Sequence, residues 1–205
     1  MTRTVRWVLA TALTLLPATV WAQVGSPGDS PYYVGIGGGP TKMKGYCKAV
    51  NATAGFVGTC DESTVGFKAF AGYKLNRNFG LELGFSNFGE ARADGTVFGA
   101  ARIGRWKGYG VDLSAVAFLP LGDRFEVFAK GGVAFWDVTS TLATTASQDI
   151  NDRGFSGVAG AGVIWWVLPQ VGLRMQYERF QKVGDDSIQV QTNIDYVSLN
   201  VVGRF

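Results

Sequence analysis

The last twelve residues, 194–205, alternate in polarity with a period of two. One face is apolar and consists of Val197, Leu199, Val201, Gly203 and Phe205, whereas the other carries Tyr, Ser, Asn, Val and Arg side chains. Because successive side chains of a β-strand point to opposite faces, the segment predicts a strand with one apolar face. Its length suits a tilted crossing of a bilayer, which takes roughly 9–11 residues. We expect this strand to close against the first strand of the chain.

The same alternation recurs in earlier segments, and the lengths of the connections between them also alternate. The predicted strands cover residues 32–39, 65–75, 79–88, 107–119, 125–137, 154–167, 171–179 and 194–205. The long connections are residues 40–63, 89–103, 138–152 and 180–193, and the short turns are 76–78, 120–124 and 168–170. Long loops at one end and tight turns at the other are typical of membrane barrels. The pattern predicts an all-β, eight-stranded, antiparallel up-and-down transmembrane β-barrel with long extracellular loops.

The main alternative is a soluble barrel, whose outer face would be rich in charged residues. Hydrophobic residues make up 47% of the chain and charged residues 17%, and there are 29 glycines. The second face of the predicted strands is mostly Gly, Ser, Val and Phe with a few charges, which suits a narrow lumen better than a wet exterior.

Aromatic residues near the strand ends predict two girdles at the membrane interfaces. Toward the short turns we place Tyr73, Phe79, Phe125, Trp165 and Phe205. Toward the long loops we place Tyr32, Phe67, Tyr109, Phe135, Phe155 and Tyr177.

The N-terminus has the pattern of a secretory signal peptide. Arg3 and Arg6 precede an apolar stretch, and residues 20–22 end in a small-x-small cleavage site, Val-Trp-Ala. The predicted division is therefore a cleaved signal peptide over 1–22, a flexible lead-in over 23–30 and a barrel domain over 31–205. Loss of the signal lowers the formal charge of +3 by two units, so the charge indicates no nucleic-acid partner.

Three stretches carry a resemblance to a known family. They are Tyr-Tyr-Val-Gly-Ile-Gly-Gly-Gly at 32–39, Phe-Ala-Gly-Tyr-Lys-Leu-Asn-Arg-Asn-Phe-Gly-Leu-Glu-Leu-Gly-Phe at 70–85, and the terminal Arg204-Phe205. Over residues 31–205 the chain resembles the OmpA-type eight-stranded outer-membrane barrels, which are small porin-like proteins of the Gram-negative cell envelope. It departs from full-length members in lacking the periplasmic peptidoglycan-binding domain, so tethering to the cell wall is not expected.

The resemblance implies an outer-membrane location and a monomer surrounded by lipid and lipopolysaccharide. It also implies the barrel-assembly machinery as a partner, which reads a terminal aromatic in such barrels, so Phe205 is the expected assembly signal.

Residues that could carry enzymatic chemistry are scarce. The chain has no histidine, which argues against His-dependent membrane lipases and proteases and against His-ligated metals. We expect no cofactor, no metal and no catalytic residues. Cys47 and Cys60 fall in one predicted loop of an exported chain, which predicts a disulfide between them.

The inward faces of the predicted strands carry a near-balanced set of charges: Lys68, Lys74, Glu82, Asp112, Glu126, Lys130, Arg174, Glu178 and Arg204. One interpretation is a plug of salt bridges, and the other is a gate whose pairs exchange partners. The turn around Pro169 predicts that Ile164 lies opposite Arg174, Gly162 opposite Gln176 and Gly160 opposite Glu178. We expect the two glycines to leave lumen volume for long polar side chains, and Gly162→Leu to displace Arg174. We expect Arg174 to be the hub, paired with Glu82, Asp112 or Glu126.

These observations predict a non-enzymatic outer-membrane barrel with a structural or interfacial role and with surface loops available to external ligands. The alternative is a narrow channel for ions or small solutes, gated by the lumen charges. The pairing of those charges stays open at this level, as does any specific ligand.

Overall fold

A computed structural model describes residues 31–143, 147–184 and 192–205. The predicted signal peptide and the lead-in lie outside the described residues. The described elements are β1 (Tyr32–Lys44), α1 (Tyr46–Asn51), β2 (Phe56–Asp61), β3 (Ser63–Lys74), β4 (Phe79–Val97), β5 (Ala100–Leu121), β6 (Phe125–Ala143), β7 (Ser147–Trp166), β8 (Val171–Val183) and β9 (Thr192–Arg204).

Eight of these strands close into an antiparallel barrel. β1 pairs with β3 on one side and with β9 on the other, so Ile36 lies between Ala69 and Val201. The remaining neighbours follow chain order from β3 to β9, and β2 is added to the outer part of β4. The eight-stranded barrel and its closure between the last and first strands are therefore confirmed.

The two faces of the wall divide as the alternation predicts. Leu83 and Leu113 are cross-strand partners on the outside, and both are exposed. Their chain neighbours Glu82 and Asp112 point inward and are fully buried. Among the described residues, no helix is both long enough and apolar enough to cross a bilayer.

Two of the predicted loops are in fact strands. β4 and β5 continue to a two-residue turn at Phe98 and Gly99, which both have positive φ (50° and 82°) as a tight hairpin turn requires. β6 and β7 likewise pair through most of the predicted loop 138–152. The predicted loop boundaries are wrong because polar residues on the outer, water-exposed face resembled loop composition.

The other two predicted loops are also shorter than expected. β1 runs on to Lys44, Gly45 turns the chain with φ of 96°, and α1 and β2 fill much of the predicted loop 40–63. β8 extends to Val183 and β9 begins at Thr192. The end of the barrel opposite the short turns is thus built mainly of paired strands.

One girdle assignment is wrong. Tyr32 is the cross-strand partner of Tyr73, with ring centroids 5.0 Å apart, so it belongs to the girdle at the short turns. The reason is geometric, because β1 begins at the end of the barrel where β3 finishes. At the opposite end, the rings of Phe135 and Phe155 lie 5.3 Å apart.

Candidate functional site

The middle of the lumen holds six charged side chains that we name the central ion layer. They are Lys68, Glu82, Asp112, Lys130, Arg174 and Glu178, and each side chain has no exposed surface. Three are cations and three are carboxylates, so the layer is neutral. Burial of any one of these charges without a partner would cost several kcal/mol, by the order of magnitude known for buried ions.

Lys130 has the most carboxylate partners within this layer. Its Nζ lies 3.0 Å from Glu82 Oε1, 3.0 Å from Asp112 Oδ2 and 2.5 Å from Glu178 Oε1. Lys68 joins two of the same carboxylates from the other side, at 3.0 Å from Glu178 and 3.5 Å from Asp112. The two lysines therefore bind β3, β5, β6 and β8 together through shared acids.

Arg174 pairs with Glu82 through both terminal nitrogens. Nη1 lies 2.5 Å from Oε2 and Nη2 lies 3.2 Å from Oε1. The guanidinium is held between the rings of Phe70 and Phe128, at 4.3 and 3.9 Å from their centroids. The Tyr33 hydroxyl donates a further hydrogen bond to Glu82 Oε2 at 3.0 Å.

The predicted register around Pro169 is confirmed, with Ile164 opposite Arg174 and Gly160 opposite Glu178. The predicted role of Arg174 as the hub needs correction, because Lys130 contacts three carboxylates whereas Arg174 contacts one.

The predicted pairing of Gly162 with Gln176 is confirmed, but the side chain nearest to Gly162 is an aromatic ring. A Cβ there would lie 2.3 Å from the Met175 carbonyl oxygen and 2.7 Å from the Phe128 ring, so this glycine makes room for an aromatic ring and not for a charge.

Three of the predicted lumen charges lie nearer the short turns, outside the central ion layer. Lys74 Nζ lies 2.6 Å from Glu126 Oε1 and 4.2 Å from the centroid of Phe118. The Arg204 guanidinium lies over Trp166, and its Nε donates to the Pro169 carbonyl at 2.6 Å. These contacts tie the short-turn end of the barrel together.

An apolar layer separates the central ion layer from the short-turn end. We name it the lower apolar layer, and its buried members are Tyr33, Phe70, Val116, Phe118, Phe128, Ile164, Trp166 and Val202. Below it a cavity of about 570 Å³ opens between the short turns, lined in part by Lys74, Glu126, Trp166 and Arg204. Tyr33, Phe118 and Trp166 of the lower apolar layer also line this cavity.

A second apolar cluster fills the lumen on the other side of the ions. This upper apolar layer consists of Met43, Tyr46, Phe88, Ala91, Ala93, Trp106, Ala134, Trp136, Val138, Val158, Phe180, Val183 and Ile194. The rings of Phe88 and Phe180 meet edge-on, with centroids 4.9 Å apart. The sequence interpretation missed this layer, although Phe88 and Trp136 lie on the inward faces of predicted strands and Trp106 continues the inward alternation one residue before the predicted strand 107–119.

Helix α1 packs against the upper apolar layer from outside. Cys47 in α1 and Cys60 in β2 form the predicted disulfide. Tyr46, the first residue of α1, is buried, and that burial raises its pKa to about 12, with the negative charges of Asp94 and Glu90 adding to the effect. The helix therefore caps the lumen and is covalently attached to the neighbouring strand.

Within the described part of the chain, no group of three or more His, Cys, Asp or Glu residues is suited to hold a metal ion. The carboxylates of the central ion layer each contact one or more cations. Phe205, the predicted assembly signal, is more than half exposed, and its backbone N–H donates to the Tyr32 carbonyl at 3.3 Å.

Comparison with known proteins places these features in a family context. The family model described as the OmpA-like transmembrane domain matches residues 27–205. The Outer membrane protein A of Escherichia fergusonii is 28% identical over 204 residues, which cover 96% of this chain and 54% of that protein. The Shigella dysenteriae protein of the same name is 30% identical over 152 residues, which cover 72% of this chain and 42% of that protein. The chain spans about half the length of the curated relatives it matches.

Solved structures share the fold at low sequence identity. Neisserial surface protein A aligns with a TM-score of 0.59 at 16% identity, covering 86% of this chain and 98% of that one. The outer membrane protein OprG from Pseudomonas aeruginosa aligns with a TM-score of 0.59 at 13% identity, covering 87% and 99%. Ail, the attachment invasion locus protein of Yersinia pestis, aligns with a TM-score of 0.56 at 17% identity, covering 86% and 99%.

Proposed function

Because the chain belongs to the family of OmpA-like transmembrane domains, we propose that it is a closed, non-enzymatic barrel that anchors a rigid surface platform in the outer membrane. The outer-membrane location follows from the family and from its relatives. The observation that carries the proposal is the stacking of the lumen, in which a neutral ion layer lies between two apolar layers.

The two apolar layers oppose the passage of ions. An ion that crosses an apolar constriction loses its hydration shell, and such constrictions close channels by excluding water. Trp106 and Phe88 in the upper layer and Phe118 and Trp166 in the lower layer are all buried. An ion would have to displace aromatic rings twice and cross a network of paired charges between them. This supports a structural role for the barrel.

The platform is the part of the wall that continues past the outer aromatic girdle. It comprises the outer halves of β4 to β7 together with α1 and β2, and the Cys47–Cys60 disulfide attaches α1 to it. Paired strands and a covalent cross-link give a surface of defined shape, which is what an external ligand would meet. We therefore assign the binding of external ligands to this platform.

A narrow channel is the second candidate, and one observation favours it. Lys130 contacts three carboxylates, so it could exchange one partner for another without becoming unpaired. Conduction would also require both apolar layers to part. Conductance measurements therefore separate the two functions.

A complementation experiment tests the structural role. A strain that lacks the gene is complemented either with the whole chain or with a variant whose platform is reduced to the outer parts of β6 and β7, and its sensitivity to detergent is measured. The variant replaces residues 45–60 and 93–104 with Asn-Gly turns. These join Lys44 to Asp61, directly beyond the backbone hydrogen bond from Met43 to Glu62, and Arg92 to its cross-strand partner Arg105. We expect both chains to restore the barrier to detergent, because the variant keeps the membrane-spanning part of the wall and the whole central ion layer. Failure of the whole chain to restore it would contradict the structural role.

A further inference from the structure

Three cations on the outside of the barrel surround one aspartate where β1, β9 and β8 run side by side. Lys42 and Arg179 are the two cross-strand partners of Asp195. Lys44 Nζ lies 2.5 Å from Asp195 Oδ2, and Arg179 Nε lies 3.7 Å from Oδ1. Lys42 Nζ lies 3.4 Å from Glu62. Three cations on adjacent strands thus share two carboxylates and leave one net positive charge.

The cations face the surroundings, whereas the aspartate does not. The exposed fraction of the side chain is 54% for Lys42, 46% for Lys44 and 39% for Arg179, but 13% for Asp195. The Tyr177 hydroxyl also donates to Asp195 Oδ1 at 2.9 Å, so both carboxylate oxygens have partners. Asp195 therefore positions Lys44 and Arg179, Glu62 holds Lys42, and an ammonium or guanidinium group keeps further N–H donors for an external acceptor.

The cluster lies where the lipid-facing apolar band ends. Tyr177 is two residues before Arg179 on the same face of β8, and it is followed toward the short turns by the exposed apolar side chains Met175, Leu173 and Val171. Aromatic residues mark the interface in membrane barrels, and polar headgroups lie directly beyond it. The cluster also lies at the end of the barrel that carries α1. That end of the barrel faces the outside of the cell in proteins of this architecture.

We propose that Lys42, Lys44 and Arg179 bind a phosphate group of the phosphorylated glycolipid that forms the outer leaflet of the outer membrane. Charge-assisted hydrogen bonds from ammonium and guanidinium groups to phosphate oxygens are among the stronger polar contacts, and basic clusters at this depth recognise anionic headgroups.

The other ion pairs on the outer surface of the described residues involve one or two cations each. Arg153 Nε lies 2.7 Å from Asp137. Arg92 and Arg105 both approach Glu90, at 3.6 and 3.7 Å.

The inference rests on the outer-membrane location and does not depend on whether the lumen conducts. The test uses the folded full chain in phosphatidylcholine vesicles that contain one of three added lipids: lipid A with both phosphates, lipid A with the phosphates removed, or phosphatidylglycerol. A fourth sample receives inorganic phosphate in solution. Two readouts are made, the thermal unfolding midpoint and the number of lipid A molecules retained after release into mild detergent, counted by native mass spectrometry.

We expect phosphorylated lipid A alone to raise the unfolding midpoint and to be retained. Lys44→Gln/Arg179→Gln should lower retention on the order of tenfold or more, which corresponds to the loss of charged hydrogen bonds. Lys44→Arg should retain the lipid because it keeps the charge. The matched control Arg92→Gln/Arg105→Gln removes two exposed cations elsewhere on the outer surface and should behave like the wild type.

Several results would overturn the proposal. One is retention of lipid A by the Lys44/Arg179 variant equal to that of the wild type, and another is a loss of retention in the control variant equal to that in the Lys44/Arg179 variant. The proposal would also fail if dephosphorylated lipid A, phosphatidylglycerol or inorganic phosphate raised the unfolding midpoint as much as phosphorylated lipid A does. Conductance by the wild-type barrel would contradict the closed-lumen function and leave this inference untouched.

Discussion

Arg174 and Glu82 are 92 residues apart in the chain and form a two-pronged contact across the lumen, with Nη1–Oε2 of 2.5 Å and Nη2–Oε1 of 3.2 Å. Neither side chain has exposed surface. The pair joins β8 to β4, two strands that are not neighbours in the barrel wall. Contacts of this kind stabilise the barrel against changes in its cross-section.

Breaking this pair from one side should be costly. Arg174→Met leaves Glu82 with Lys130 and Tyr33 but without its principal partner, and we expect a loss of about 3–5 kcal/mol in the free energy of unfolding, as for other buried pairs broken on one side. Urea unfolding in lipid vesicles measures the loss.

The double variant Arg174→Met/Glu82→Gln provides the test of coupling. Since it removes both charges, its loss should be smaller than the sum of the two single losses. Strictly additive losses would show that the two residues act independently. Lys74→Met, at the partly exposed pair with Glu126, is the control and should cost less.

Gly162→Leu should destabilise the lower apolar layer. A side chain there meets the Met175 carbonyl oxygen and the Phe128 ring that lies against Arg174. Overpacking of this type costs about 1–3 kcal/mol or more. Gly131→Leu is the matched control, because the nearest atom to a Cβ at that outward position is 4.0 Å away. Equal unfolding free energies for the two variants would contradict this account of Gly162.

A charge on the lipid-facing surface should be penalised according to depth. Leu113→Arg places a cation in the middle of the outward apolar series of β5 and should cost roughly 2–4 kcal/mol. Ala101→Arg lies on the same face of the same strand, near the hairpin turn, and should cost close to nothing. Unfolding in vesicles gives both values, and similar penalties would mean that the apolar band is not the membrane-facing surface.

Removal of the terminal residue should impair assembly more than stability. Phe205 is exposed and makes one backbone hydrogen bond to Tyr32, so its deletion removes little packing. We expect the deletion variant to reach the outer membrane in reduced amount, measured as heat-modifiable folded protein, while the refolded variant unfolds much like the wild type. Phe205→Tyr should assemble normally. Normal amounts of the deletion variant in the membrane would show that Phe205 is not an assembly signal.

The alternation of side chains was sufficient to predict the barrel, the inward charges and the register around Pro169. The period of two fixes the face of each residue, and a tight turn fixes which residues lie opposite each other. Hence Glu178 was placed opposite Gly160 from numbering alone. The disulfide could be predicted because the chain is exported and its two cysteines lie in one predicted loop.

The upper apolar layer and the partners of each charge could not be read from the sequence. The outer halves of β4 to β7 carry Thr, Asn, Asp and Arg on the face that meets water, so their composition resembles that of loops. The partners of Lys130 come from β4, β5 and β8, and their convergence depends on the closed cross-section of the barrel. The close approach of Gly162 to the Phe128 ring depends on the Phe128 rotamer, which residue spacing in the sequence does not predict.

The most direct test of the closed lumen is the single-channel conductance of the purified, folded wild-type protein in planar bilayers. The two apolar layers around the central ion layer predict a flat current trace, equal to that of a preparation from cells that lack the gene. Reproducible unitary steps from the folded monomer, altered in size or selectivity by Lys130→Met, would contradict the closed barrel and establish a water path through the ion layer.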